Sequence, residues 1–320
     1  MKKYDFVVSG YIVANQFLRV SSLPEPGITA WVANYDYETV YYGGPGFNIS
    51  YCLAKLGCRV LPMLSYVSAD KREEIDALFA AVQASTKALE APLPGAAGVA
   101  IMLQDDEKRH MTLACRNSQG MKPPPQREMP DQYFSDSQYA ILTISLPQNV
   151  PLFLAKVKQN NVPLVFSMRA DEKIFPKEIL WEALETARLI FMNDTEEEYL
   201  EEMFGPGFIE KIFALGKAEV VVTTLGKSGS IVRQKKEGAI QTLEVQATRP
   251  ETIVDTPGAG DGFVAGFMAA YLQKKPLTLC AQYGSTVSSF IIEQTGSIEN
   301  APAFAAVKKR NAKREDAIKE

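Results

Sequence analysis

Asp261 directly follows the string Gly258-Ala259-Gly260, with Asp255-Thr256-Pro257 before it and Gly262-Phe263 after it. Small residues let a bulky anion approach backbone amides. The start of a helix supplies such amides, because its first N–H groups lack partners and the summed peptide dipoles leave partial positive charge there. A carboxylate beside that hole can take the proton of a hydroxyl attacking a phosphoryl group. An acid at a helix start also serves as a plain cap, but a cap needs one glycine at most and this string carries several.

Other residues offer related chemistry. Asn193 and Glu196 lie three apart, where the apolar run Leu189-Ile190-Phe191-Met192 meets a helical pattern. An amide and an acid there suit a hydrated magnesium ion and equally suit helix capping; the residues alone leave both open. Gly43-Gly44-Pro45-Gly46-Phe47-Asn48 precedes another helix. Its glycines would admit a ligand close to the backbone or simply make a turn, and Asn48 offers a donor and an acceptor. Gly226-Lys227-Ser228 invites comparison with a Walker phosphate loop, but that motif needs a glycine at position 221, which is Val.

Composition narrows the choice. A single histidine, His110, excludes histidine-based triads and two-histidine metal sites, so any general base is an acid. Cys52, Cys58, Cys115 and Cys280 form no Cys-x-x-Cys pair and read as reduced, mostly buried thiols of a cytoplasmic protein. A net charge of −4 argues against nucleic acid or an anionic membrane as main partner. No apolar run approaches a membrane span, and residues 6–14 read as a first strand rather than a signal peptide. With 320 residues, 46% of them hydrophobic, the chain can bury a large core.

The elements that position these residues follow from periodicity. Residues 4–9 read as a buried strand ending at Gly10, and Thr252-Ile253-Val254 as another, stopped by Pro257. After it Phe263, Val264, Phe267, Met268, Ala270 and Tyr271 recur at helical spacing. Short β-rich segments at 17–20, 28–34 and 36–42, with Trp31, Tyr35, Tyr37, Tyr41 and Tyr42, read as a small lid or as a hairpin on the core. Val99–Leu103 and Met111–Ala114 form a hairpin pattern around a charged turn, and Pro123-Pro124-Pro125 marks a loop. Strand 60–64 and helix 71–83 precede a stretch, 139–223, where strand and helix alternate as in a parallel sheet with helical crossovers. Helix 281–293 carries Gly284, Ser285, Ser288 and Ser289, which suit close helix packing or a flat base.

The string Asp255–Asp261 resembles the signature Asp-Thr-x-Gly-Ala-Gly-Asp of the ribokinase/PfkB family of small-molecule kinases. Gly43, Gly44, Asn48, Ala54, Leu56 and Gly57 fit its second signature, Asn193 and Glu196 its Asn-x-x-Glu, and Thr224, Gly226 and Gly229 its Thr-x-Gly-x-x-Gly turn. The likeness covers essentially the whole chain. It implies an α/β, ribokinase-like three-layer α/β/α domain over residues 1–320, with a mostly parallel central sheet and β-lid segments at about 11–43 and 98–115. It implies ATP-dependent transfer of a γ-phosphoryl group to a hydroxyl of a sugar or sugar derivative; a nucleoside acceptor, or less readily a non-catalytic binding protein, is the alternative.

By the same resemblance Asp261 is the general base, and Gly258, Ala259 and Gly260 form the anion hole. Thr224, Gly226, Gly229 and Thr256 serve the nucleotide, while Asn193 and Glu196 organise Mg2+, Glu196 through water. Asp255 would help hold a monovalent cation such as K+, and Gly43, Gly44 and Asn48 bind the acceptor. Asn15 stands where most relatives have an Asp gripping two sugar hydroxyls, so a charge-assisted grip is lost. Val67-Ser68-Ala69-Asp70-Lys71 replaces a Gly-x-Asp-x-x-Gly pattern, and Phe166-Ser167-Met168-Arg169 stands where Asp-x-Asn-x-Arg is usual. The acceptor half is altered while the phosphoryl-transfer half is intact. The implied partners are a small sugar or nucleoside, no nucleic acid and no membrane, with a homodimer through the lid.

Overall fold

The first strand, β1 (Tyr4–Tyr11), divides its side chains between two cores: Phe6 and Val8 enter one, Tyr4 and Val7 the other. A strand buried on both faces reads as a continuous apolar run, and it needs helices on both sides. The computed structural model describes residues 2–34, 37–65, 69–90, 98–107, 109–115 and 126–319. After β1 come β2 (Val13–Arg19), β3 (Val40–Gly43), α1 (Pro45–Lys55), β4 (Val60–Ser65), α2 (Arg72–Ala81), β5 (Gly98–Gln104) and β6 (His110–Cys115). The middle of the chain holds α3 (Asp131–Ser135), β7 (Ser137–Leu142), α4 (Val150–Gln159), β8 (Leu164–Ser167), α5 (Lys177–Thr186), β9 (Ala187–Asn193), α6 (Asp194–Phe204) and α7 (Phe208–Leu215). The last third holds β10 (Val220–Thr224), β11 (Ser230–Lys236), β12 (Ala239–Val245), α8 (Ala259–Leu272), α9 (Leu277–Ile291) and α10 (Phe304–Lys319).

Eight strands form one sheet in the order β12-β11-β10-β9-β8-β7-β1-β4. Pairings from β10 through to β4 are all parallel, and β11 and β12 close one edge antiparallel. Leu189 and Phe191 of β9 join the core under α1, α8 and α9, while Ile190 and Met192 join the core under α4 to α7. This is the expected three-layer arrangement. Helix α8 is buried from Asp261 to Ala270 without a break, which is why its sequence is apolar all round.

The lid is a second sheet, ordered β3-β2-β5-β6. The 99–114 hairpin forms as expected, with β5 also parallel to β2. Residues 28–34 give only an isolated bridge, Val32 with Val20, because Pro24, Pro26 and Gly27 hold the preceding stretch as a loop. Tyr35, Val67, Ser68 and the three prolines at 123–125 lie outside the described residues, as do the side chains of Asp70, His110 and Cys115.

One expectation fails. Thr252-Ile253-Val254 is not a buried strand: it is irregular backbone, with Ile253 66% exposed. Val254 instead gives its N–H to the Ile292 carbonyl at 2.9 Å, just past α9.

Helix α1 also begins earlier than its apolar spacing suggests, at Pro45, because proline suits a first helical position. That brings Gly46 against β1. A Cβ on Gly46 would lie 2.7 Å from Gly10 Cα and 3.0 Å from the Ser9 carbonyl oxygen, both backbone. Alanine normally favours a helix over glycine by about 1 kcal/mol. Here the steric clash decides the sign, so Gly46→Ala is expected to destabilise by about 1–3 kcal/mol, read as a lower urea midpoint; an unchanged or raised midpoint would refute the close packing. Among the described residues no helix is long and apolar enough to cross a membrane.

Candidate active site

The glycine string starts α8. Gly258 caps it at φ 80°, and a Cβ there would meet Ser297 Cβ and its carbonyl oxygen at 2.8 Å, so both backbone angle and space demand glycine. The turn is tied by the Gly262 N–H donating to the Gly258 carbonyl at 2.8 Å. Gly258, Ala259 and Gly260 line a cavity of about 430 Å³, whose other walls include Arg169, Asn193, Glu196 and Thr224. Strands β8, β9 and β10 all end at this cavity, as ligand sites in open parallel sheets do.

Asp261 is buried, and both of its oxygens have donors. Asn48 Nδ2, on α1, donates to Oδ2 at 2.8 Å. Arg169 Nη2, just beyond β8, donates to Oδ1 at 2.8 Å. Arg169 Nη1 donates to the Met168 carbonyl at 3.0 Å and lies 3.6 Å from Glu196 Oε1. One guanidinium therefore sits between two buried carboxylates. The remaining atom of the Asn48 amide, Oδ1, is buried with no hydrogen-bond partner. A buried acceptor left unmade costs about 1–3 kcal/mol, and it stands on the side chain that already touches Asp261.

Asn193 and Glu196 form a full capping box on α6. Asn193 Oδ1 accepts the Glu196 N–H at 2.7 Å, and Glu196 Oε2 accepts the Asn193 N–H at 2.8 Å. Both residues also line the 430 Å³ cavity, so capping α6 does not remove them from it. Burial pushes the Glu196 carboxyl above its ordinary range, with Asp261 adding to the rise and Arg169 opposing it. A carboxyl raised by folding contributes stability that is full below its unfolded pKa, about 4.3, and is lost as pH rises through the folded value. Glutamine at 196 keeps a carbonyl to cap with and does not titrate. The Tm of Glu196→Gln relative to the parent is therefore expected to climb between about pH 4 and pH 7; a pH-independent gap would show that the carboxyl is not held up by burial.

A second cavity, of about 510 Å³, adjoins the first. Thr224, Gly226 and Gly229 line it, so the turn between β10 and β11 faces this cavity. The Thr224 hydroxyl donates to the Met192 carbonyl at 3.3 Å, and Thr256 borders both cavities. Gly284 packs on Phe263 of α8, whereas Ser285, Ser288 and Ser289 line the cavity; the small residues of α9 divide between packing and site.

The remaining predicted residues lie towards the lid. Asn15, on β2, is buried over Gly43: a Cβ on Gly43 would lie 2.5 Å from Asn15 Nδ2. Gly44, at φ 101°, caps α1. Strand register puts Asn15 opposite Tyr41 and Ala100, and Phe17 opposite Met102, on one face. Phe17 meets Tyr41 edge-on at 5.2 Å, and with Met102 it lines a small cleft against Val254–Pro257. Asp255 lies in that cleft, its Oδ1 accepting the Thr256 N–H at 2.9 Å.

Thus Asp261, Asn48, Asn193, Glu196 and the glycines meet around Arg169, which is absent from the sequence-based site. A signal for it existed: of the expected Asp-x-Asn-x-Arg, position 169 keeps the arginine. Among the described residues no three acids, histidines or cysteines gather to hold a metal directly. Burial pushes the Cys58 and Cys280 thiols up to about 12, which suits unreactive thiols.

Comparison with known proteins agrees with this fold. The chain is 24% identical over 309 residues to the nucleoside kinase of Methanocaldococcus jannaschii, covering 94% of each. It is 26% identical over 308 residues to the ribokinase of Haemophilus influenzae, covering 92% of this chain and 94% of that one. In fold it matches the crystal structure of the M. jannaschii nucleoside kinase with a TM-score of 0.82 at 21% identity, over 98% of this chain and 99% of that one. It matches Arabidopsis thaliana ribokinase complexed with ribose and ATP at 0.77 and 20% identity, over 96% and 98%. The model of the pfkB family carbohydrate kinases fits residues 26–303. With that family's domain over most of its length and a ribokinase-like fold, this chain belongs to the PfkB family, kinases that phosphorylate an alcohol group.

Proposed function

We propose that this kinase transfers the γ-phosphoryl group of ATP to a hydroxyl of a sugar or sugar derivative, with Asp261 as general base. The observation that carries the reading is the Asp261–Asn48 pair at the start of α8, where a buried Asn48 Oδ1 has no partner. Asn48 Oδ1 would accept from a neighbouring hydroxyl of the acceptor molecule, which leaves the attacking hydroxyl free to give its single proton to Asp261. Each carboxylate oxygen accepts more than one hydrogen bond, so Arg169 and Asn48 leave room for it. Arg169 Nη2 would lie 3.7 Å from a Cβ on Gly260, and this places its charge beside the proposed anion hole. There it would both hold the base and stabilise negative charge on the transferring group.

The donor set suits a hydrated magnesium ion better than a bare one. Glu196 Oε2 is occupied by a backbone N–H and Oε1 faces Arg169, so Glu196 and Asn193 would hold the ion through water. When bound, that ion would neutralise charge on the triphosphate oxygens. In this reading Thr224, Gly226, Gly229 and Thr256 cradle the nucleotide, Asn15, Gly43 and Gly44 the acceptor, and Asp255 contributes to a K+ site.

A second acceptor class has an observation in its favour. Phe17, Tyr41 and Met102 make an apolar, aromatic wall beside Asn15. A free sugar has little use for such a wall, whereas the base of a nucleoside would stack on it. ADP release from Mg-ATP across a panel of simple sugars and nucleosides separates the two. Turnover with no member of the panel would sink both. The lid's exposed Trp31, Ile28 and Leu113 fit a lid-to-lid homodimer, which sedimentation velocity tests.

A further inference from the structure

The 510 Å³ cavity has two distinguishable ends. Thr224, Gly226, Thr256, Ala259 and Gly260 also line the neighbouring cavity, so the shared end faces the anion hole and takes the phosphates. The opposite end is left for the base. Ala247, Pro250, Ile253 and Ile292 give it apolar walls.

The polar groups at that end are turned to other tasks. Ser288 Oγ donates to the Ala259 carbonyl at 2.7 Å, with the Gly284 carbonyl 3.2 Å away as the alternative acceptor. Ser289 Oγ donates to the Thr286 carbonyl at 2.8 Å and accepts from Arg310 Nη1 at 2.9 Å. Ser285 Oγ accepts the Thr248 N–H at 2.6 Å. The Thr248 hydroxyl pairs with Thr286 Oγ1 at 3.0 Å, and that hydroxyl donates to Asn311 Oδ1 at 2.7 Å. Pro250 has no N–H. Among the side-chain donors at that end, what remains is one rotatable hydrogen, on Ser285, together with the exposed side chains of Lys227 and Arg249.

Arg310, on α10, keeps this arrangement in place. Its guanidinium lies 3.4 Å from the Phe290 ring centroid and grips both Glu293 oxygens, at 2.8 and 3.1 Å. Glu293 in turn accepts the Glu251 N–H at 2.7 Å. Side chains at the base end thus tie the 248–251 loop to α9 and α10.

We propose that the donor site does not read the base edge, so that this kinase uses GTP as well as ATP; this rests on the cavity being the triphosphate site. A site built to hydrogen-bond its substrate rejects a wrong one by about 10⁴–10⁵-fold, an apolar wall by only about 10–200-fold. Adenine and guanine differ by a 6-amino against a 6-oxo group. A rotatable hydroxyl both donates and accepts, so it distinguishes them poorly. Lys227 and Arg249 are long, exposed cations, drawn to phosphate or to a base face.

The test is titration calorimetry of the full chain with ADP and GDP in the presence of Mg2+, which needs no acceptor. The dissociation constants are expected within about tenfold of each other, the low end of apolar discrimination. GDP binding more than about 200-fold weaker than ADP, beyond what apolar walls discriminate, overturns the inference and leaves the donor site standing. Failure of both to bind overturns the donor site as well. Ser289→Ala removes a hydroxyl that is engaged within the protein, and it is expected to leave the ADP/GDP ratio unchanged; a changed ratio would mean that this group reads the base.

Discussion

Asp261→Asn is expected to lower kcat by about 10²–10⁴-fold, the usual contribution of a positioned general base, with little change in Tm or in ADP affinity. The substitution removes the proton acceptor and almost nothing else. Asparagine is isosteric, and one of its amide atoms still accepts from the Arg169 fork. The other becomes a donor and would oppose Asn48 Nδ2, now 2.8 Å from Asp261 Oδ2. Asn48 has a way out: its Oδ1 has no partner, so a flipped amide accepts the new donor and restores the bond between the two side chains, with the amide nitrogen now in the unpartnered position. Arg169 loses one anion but keeps Glu196 at 3.6 Å. Fold and nucleotide site should therefore survive, which makes the kinetic effect interpretable. The measurements are kcat for the best acceptor of the panel, a thermal melt and ADP calorimetry. Turnover within about tenfold of the parent would reassign the base, since positioned proton transfer is worth more than that.

The parts of this molecule that were readable in the sequence are those whose cause is local. The α8 start was legible because proline, glycines and an apolar helix lie within one stretch, and the structure puts the helix at Ala259. The parallel strands were legible because burial on both faces makes uninterrupted apolar runs such as Val220-Val221-Val222. Thr252–Val254 carried the same local signal and misled, since whether such a run becomes a strand depends on what it lies beside, and the Val254 N–H goes to the Ile292 carbonyl just past α9. Asn193 and Glu196 were legible as a pair and as a cap, but that the box capping α6 also lines the cavity was not legible. Arg169 was illegible as a partner of Asp261 because 92 residues separate them, and Asn48 is 213 residues away. Nothing in periodicity or turn chemistry carries information over that distance; only closure of the sheet brings β8 and α1 to the same helix end.

Removing that long-range contact has the second large expected effect. Arg169→Met keeps the length of the stem and takes away the charge between Asp261 and Glu196, whose side chains are 4% and 7% exposed. Two buried carboxylates then face each other without their shared cation. Glu196, which Arg169 now holds down against burial, rises further, and like charges in one pocket favour a shared proton. Activity at neutral pH is expected to fall by about 10²–10³-fold, as for loss of one preorganised donor to developing charge. The acid limb of kcat/KM against pH should move upward, a readout that a merely loosened fold would not give. Arg169 itself is 32% exposed on its side chain, so water reaches the gap; the stability loss is expected to stay near the low end of the about 3–5 kcal/mol for broken buried pairs. Arg169→Lys restores charge without the two-pronged geometry. It should return the pH profile towards the parent while recovering only part of kcat. If Arg169→Met kept the parent's acid limb and lost only Tm, the arginine would be a structural strut, and the base would have to be oriented by Asn48 alone.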